Sequence, residues 1–337
     1  MKAYVLHDIN DLRYDEVGIP ECPKGWAIVQ VKAAGICSSD IARVFTKGTY
    51  HFPTIPGHEF SGIVYSVSDT ENEDWIGKRV GAFPLIPCRQ CPQCKESHFE
   101  MCAHYDYIGS RRDGAFAEFV AVPVWNLVLL PDSISFEVAA LLEPLSVGLH
   151  AVKIADVRTQ DSVAIVGTGM IGISAAQWAK QRTTGKVVVI GRNETKRQIV
   201  ESTGSPYEVR TSVTGKEYDV VIEAVGNPQS IDLAINMVHP GGTVVLMGNP
   251  SGDIHLNQNT YWRVLRKQLK LIGTWNSSYD GANPSDWTDA VSALSKGDVK
   301  VESLISNKLP QEHLMDGLKL MQSHVKPYCK VMTIWNS

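Results

Sequence analysis

Hydrophobic and polar positions change their period twice along this chain. Over roughly the first 145 residues, short stretches alternate apolar with polar or are rich in β-branched residues: AIVQVKAAGIC (27–37), EFSGIVYSV (59–67) and AFAEFVAVP (115–123). Glycine and proline punctuate them, which predicts short strands joined by turns. Segment 136–155, FEVAALLEPLSVGLHAVKIA, places its apolar residues at helical spacing, with Pro144 as the expected kink or break. From 161 onward a continuous apolar strand is followed by a helix, and the unit repeats. SVAIVG (162–167) reads as a buried strand and ISAAQWAKQ (173–181) as a helix. KVVVIG (186–191), YDVVIEAVG (218–226), GTVVLMG (242–248) and LKLIGTW (269–275) read as further strands. Strands alternating with helices predict a doubly wound parallel sheet. Near 285 the pattern becomes helix, loop and one last strand, YCKVMTIW (328–335). These last fifty or so residues are too few for a domain of their own and are expected to return to the first. The expected organisation is α/β: a discontinuous β-rich domain, 1–148 with 286–337, around a doubly wound parallel-sheet domain, 149–285.

Composition narrows the function. A chain of 337 residues, 44% hydrophobic and 20% charged, suits two ordinary globular domains. Its 32 basic and 36 acidic residues leave a net charge of −4, so no basic field draws in nucleic acid or an anionic membrane. No apolar run approaches the ~18 residues of a membrane span, and the opening MKAYVLHDINDLRYDE does not read as a secretory signal. Seven cysteines, four of them within fifteen positions, indicate a metal site in a reducing compartment rather than a disulfide framework. The expected location is the cytoplasm.

Those four, Cys88, Cys91, Cys94 and Cys102, are spaced C-x2-C-x2-C-x7-C. Two-residue spacers let a chain wrap its thiolates around one tetrahedral ion, and a loop in a β-rich domain suits zinc better than an iron–sulfur cluster. Four protein ligands leave no open position, so the site is expected to be structural. A second set is dispersed: Cys37 in GICSSD, His58 and Glu59 in PGHEFSG, and Glu143 in LLEPLSVGLHA. Alone, each has an ordinary structural reading. Together they form the kind of mixed donor set that a catalytic zinc with an open position uses. Cys22 and Cys329 receive no role.

GTGMIG (167–172) follows the strand 162–166 and opens a helix, as a dinucleotide-binding turn does. Gly167, Gly169 and Gly172 would permit the tight turn, the approach of pyrophosphate and close helix–strand packing, with Thr168, Met170 and Ile171 between them. The next strand should end in an acid that binds the ribose 2′-hydroxyl. Here it ends in Gly191 and Arg192, with Lys196 and Arg197 one turn later. A glycine leaves room for a 2′-phosphate and the cations attract it, which favours NADP(H) over NAD(H). The alternative is a solvated basic face, with NAD held by main-chain groups.

With these motifs in this order, nearly the whole chain resembles the zinc-dependent medium-chain dehydrogenases of the alcohol and polyol type. Within that family, YDYIGSRRDGAFAEF (105–119), EPLSVGLHA and VLRKQLKLIGTW (264–275) resemble the galactitol-1-phosphate 5-dehydrogenase branch. The resemblance implies a GroES-like catalytic domain split between the chain ends, and a Rossmann domain between them. It implies two zinc ions per chain, the catalytic one on Cys37, His58 and a glutamate, either Glu59 or Glu143. It also implies a homodimer or homotetramer. Ala42 stands where many relatives carry a histidine that ends a proton relay, so Ser39 would accept the substrate proton, with Glu143 as another route. Arg43, near the expected substrate mouth, suits a phosphate, and Arg111 and Arg112 are further candidates. The expected reaction interconverts a sugar-alcohol phosphate and a ketose phosphate. The alternatives are an unphosphorylated polyol or vicinal diol, or NADPH-dependent reduction of a pentulose phosphate.

Overall fold

The computed structural model describes residues 1–212, 217–250, 252–281, 284–323, 325 and 327–336. The chain forms two compact units. One holds residues 1–143, 278–295 and 305–337; the other holds 144–277 and 296–304.

The first unit is built on the long strand Trp26–Ile36. Three strands pair with it antiparallel: Glu59–Val67, Phe119–Pro123 and Lys330–Ile334. Ile305–Pro310 runs parallel to the last of these, and Arg79–Ala82 and Leu127–Leu129 extend the other side. Strand Trp26–Ile36 is buried over most of its length, on both faces. Its β-branched residues suit such a site better than strict alternation would. Val29, Val31 and Ile36 share one core with Phe60, Val64 and Phe116. Helix Leu314–Ser323 contributes Leu314, Leu318 and Met321 to that core. The chain's last strand therefore lies beside the strand that ends at Ile36, and it pairs Val331 with Ile36. This register brings Lys330 to the level of Cys37.

The second unit is a six-stranded parallel sheet. Its order is Tyr207–Val209, Val187–Gly191, Val163–Val166, Tyr218–Glu223, Val238–Leu246 and Lys270–Gly273. Five of these lie where the apolar runs predict them. The short edge strand Tyr207–Val209 was not anticipated, because three residues carry no readable period. In the first unit, the hairpin Lys2–Asp8/Asp11–Glu16, strand Ile305–Pro310 and helix Leu314–Ser323 likewise went unread.

Two expectations need correction. Pro144 does not break the helical segment. The break lies at Ala140–Leu141, between helices Phe136–Ala139 and Leu142–Ile154, and Pro144 sits in the first turn of the second helix. There its missing N–H is one that no helical carbonyl would have used. The unit boundaries fall at 143/144 and 277/278 rather than 148/149 and 285/286, and 296–304 belongs with the second unit. Side chain–backbone bonds carry that last return: Gln177 accepts from the Lys300 N–H at 2.7 Å and donates to its carbonyl at 3.0 Å.

Candidate active site

The four cysteines of the loop converge. Their sulfurs lie within 4.8 Å of one another, with Cys88 and Cys94 3.9 Å apart and Cys91 and Cys102 4.0 Å apart. Four sulfurs about 2.3 Å from a tetrahedral ion would stand about 3.8 Å apart, so the donor set fits zinc. Proline at the first position of helix Pro92–Lys95 sets the turn that aims Cys94 back at Cys91. Backbone N–H donors from Gln90 and Cys91 lower the Cys88 pKa, and donors from Ala103 and Cys94 lower that of Cys91. Burial raises Cys94 and Cys102. Among the described residues, Phe99 and Tyr105 pack on this cysteine cluster, which gives the loop little apolar core of its own.

The second convergence joins Cys37, His58 and Glu59, whose ligand atoms also lie within 4.8 Å of one another. Cys37 follows strand Trp26–Ile36 and caps helix Ser38–Ala42; His58 immediately precedes the neighbouring strand, which Glu59 begins. Buried charges surround them. Asp40 accepts from the Cys37 N–H at 2.9 Å and from Arg43 Nη1 at 2.8 Å. His58 turns Nδ1 toward Arg43 Nη1 at 3.5 Å and Asp40 Oδ1 at 3.7 Å, which leaves Nε2 for a metal. A carboxylate behind a ligating histidine fixes its ring. Lys330 forms a buried ion pair with Glu59 and donates to the Ile36 carbonyl at 3.3 Å.

Burial pushes the Cys37 thiol up, and the Glu59 and Asp40 carboxylates add to it. Burial likewise pushes Glu143 up to about 8. Cys37, Asp40, Glu59 and Glu143 can each carry a negative charge, against the two cations Arg43 and Lys330. When all are ionised, the excess of two negative charges matches a divalent cation. Glu143 stays outside the close triad. It accepts from the Tyr107 hydroxyl at 3.5 Å, and the Tyr107 ring meets His58 edge-on at 5.7 Å.

Arg43 turns its Nη1 inward, onto Asp40 and onto Ser39 Oγ, 2.8 Å from each, and so braces the metal-ligand set. Arg111 is stacked between the rings of Tyr50 and Tyr105, at 4.3 and 4.2 Å, and Arg112 pairs with Asp106. Asp40, Tyr107 and Lys330 were missed. Asp40 stands three residues after Cys37, at the spacing of a reciprocal helix cap, and that signal was available. Lys330 gave none, because it is 271 residues from Glu59.

In the second unit, Gly167 takes φ +130° at the end of strand Val163–Val166, and a Cβ on Gly172 would stand 2.5 Å from the Gly167 carbonyl oxygen. Nothing lies within 4 Å of where a Cβ on Gly169 would stand, so this turn is open to a ligand at the N-terminus of helix Met170–Arg182. A pyrophosphate needs such a cradle. Arg197 pairs with both Glu194 and Glu201 and stacks over Tyr207. Arg192 is exposed.

Residues 23–132 match the alcohol dehydrogenase GroES-like domain, and residues 170–296 match the zinc-binding dehydrogenase family. Galactitol 1-phosphate 5-dehydrogenase of Escherichia coli K12 is 32% identical over 320 residues, covering 91% of this chain and 92% of that one. The chain belongs to the zinc-dependent medium-chain dehydrogenases. It is an alcohol or polyol dehydrogenase, an oxidoreductase acting on CH–OH groups. The crystal structure of galactitol-1-phosphate dehydrogenase from Escherichia coli superposes with a TM-score of 0.90, covering 99% of this chain and 100% of that one. A zinc-binding dehydrogenase of Sinorhizobium meliloti 1021 bound to NADP is 26% identical, with a TM-score of 0.88 and coverage of 99% and 98%. The RspB dehydrogenase of Escherichia coli CFT073, complexed with NADH, is 25% identical, with a TM-score of 0.90 and coverage of 99% of each chain. Among the described residues, no helix is long and apolar enough to cross a membrane.

Proposed function

We propose that this enzyme interconverts a sugar-alcohol phosphate and a ketose phosphate of the galactitol 1-phosphate/tagatose 6-phosphate type. NADP(H) is favoured over NAD(H), and each chain holds one structural and one catalytic zinc. The observation that carries the chemistry is the convergence of half-buried Cys37 with buried His58 and Glu59, among an excess of acid groups. The 32% identical relative, named for a phosphorylated polyol, supports the substrate class.

When bound, zinc supplies a Lewis acid that lowers the pKa of a substrate hydroxyl or polarises a ketone, and the nicotinamide accepts or donates the hydride. The chain's own residues prepare that encounter. Asp40 anchors both the Cys37 backbone and the His58 face of the site. Lys330 holds Glu59 in place by a buried charge pair. Ser39 Oγ accepts from Arg43 Nη1, which orients the hydroxyl so that its own proton can pass outward while it takes one from substrate. Ala42 leaves this relay without an imidazole. Gly191 places no carboxylate beside a 2′-phosphate, and exposed Arg192 offers a cation to it.

One observation favours a second reading, an unphosphorylated polyol or diol: Arg43 is already engaged by Asp40 and Ser39. Turnover of the zinc-loaded enzyme on galactitol 1-phosphate and on galactitol, each with NADP⁺ and NAD⁺, separates them. A kcat/KM at least about tenfold higher on the phosphorylated substrate, a preference worth about 1.4 kcal/mol, upholds the first reading. Equal or better turnover of galactitol replaces it with the second.

We place the enzyme in the cytoplasm, because a four-thiol site needs reduced sulfur. We also propose a homo-oligomer built on the sheet edge Lys270–Gly273. Helix Gln258–Arg266 exposes Tyr261, Trp262 and Leu265, and the edge strand exposes Leu271, a combination that a second copy would cover.

A further inference from the structure

Gly191 ends the strand Val187–Gly191, where a nucleotide-binding sheet normally presents its ribose-binding acid. A Cβ placed on Gly191 would lie 1.8 Å from the Tyr207 hydroxyl oxygen and 2.5 Å from its Cζ. Tyr207 comes from the neighbouring strand Tyr207–Val209 and is buried. Its hydroxyl donates to the Asn193 carbonyl. The phenol therefore fills the volume in which an acidic side chain at 191 would begin, and the Asn193 bond pins it there.

The same tyrosine also engages the neighbouring cation. The Arg197 guanidinium stacks over its ring at 4.9 Å, and Arg197 Nη1 donates to the Tyr207 carbonyl at 3.2 Å. Glu194 and Glu201 hold the rest of that guanidinium. Arg192, the next residue after Gly191, is exposed.

We propose that Tyr207 is the residue that determines cofactor specificity: by occupying the acid's place it makes position 191 glycine, removes the carboxylate that would repel an adenosine 2′-phosphate, and leaves Arg192 rather than Arg197 to meet that phosphate. The assignment rests on the NADP(H) reading above and gives it a cause in packing. An acid at 191 is admitted only when the phenol is gone.

The test compares the full-length enzyme with Gly191→Asp, Tyr207→Ala, the double variant and Arg192→Ala. Thermal melting reports the fit, and fluorescence titration with NADPH and NADH reports binding without turnover. Gly191→Asp alone is expected to lower the melting temperature by about 4 °C or more and to weaken both cofactors, because overpacking strains the strand end. Adding Tyr207→Ala should return the melting temperature to that of Tyr207→Ala itself and shift the preference at least about tenfold toward NADH. Arg192→Ala should weaken NADPH at least about fivefold and leave NADH unchanged. If Gly191→Asp alone melts with the parent and by itself turns the preference to NADH, the Tyr207 assignment is overturned. Tighter binding of NADH by the parent would overturn the cofactor reading, and the assignment of 2′-phosphate selection with it. The melting comparison would still show whether Tyr207 is what bars a side chain from position 191.

Discussion

The two donor clusters of the first unit are built in opposite ways. Cys88, Cys91, Cys94 and Cys102 come from one loop, and beside them lie Phe99 and Tyr105, with no buried ion pair among the contacts described. Cys37, His58 and Glu59 come from the ends of two paired strands, inside a layer of buried charge made by Asp40, Arg43, Glu143 and Lys330. In the loop, the ligands themselves are the fold, because few apolar contacts would otherwise hold it. At the strand ends the sheet already holds the ligands, and the surrounding charges tune them. A closed site made of its own ligands stabilises. A site whose ligands are positioned by other elements can leave a coordination place for chemistry.

The largest expected effect lies in the loop. Cys91→Ser should lower the melting temperature by roughly 10 °C or more and open residues 88–102 to limited proteolysis, since a local metal site contributes its binding energy to folding. A variant that melts with the parent would remove the structural role. Cys37→Ser should do the reverse: kcat falls by about 10³-fold or more, the metal content drops toward one per chain, and melting changes little. Measuring both variants for metal, melting and turnover tests the contrast directly, and equal losses of stability would break it.

Lys330→Met comes next. Removing one partner of a buried pair costs about 3–5 kcal/mol when the other charge is left alone. Glu59 would regain a counter-ion on metal binding, so the loss should be largest after chelation and smaller in the zinc-loaded enzyme. Melting with and without added zinc checks this, and an equal loss in both states would show that Glu59 does not face the metal. The smallest effect is expected for Asp40→Asn, which weakens the support behind His58 and should reduce metal affinity at the strand-end site by about 10–100-fold. Competition with a chelator reads that affinity, and an unchanged value would limit Asp40 to capping its helix.

How much was legible depended on distance along the chain. The loop's spacing, the GTGMIG turn and five strands of the parallel sheet could be read because local geometry dictates them. Helix Leu314–Ser323 and strand Ile305–Pro310 could not, since short amphipathic pieces take their structure from the core they join. Arg43 was read from its position near Cys37, but its orientation depends on Asp40, a buried acid that draws the guanidinium inward. Arg197 was read as a phosphate-facing cation, yet two glutamates within four residues neutralise it.

The residue types alone determined the β-rich and parallel-sheet halves, both sulfur and mixed donor sets, and a strand end without an acid. Those features depend on periods of two and 3.6 residues and on ligand spacings that a chain carries wherever it goes. Only the tertiary structure decided that Lys330 pairs with Glu59, that Glu143 stands outside the close triad, and that Tyr207 fills the place of a side chain at 191. Each of these depends on which strands become neighbours and in what register, and that choice is made by burying one shared core rather than by any stretch of sequence on its own.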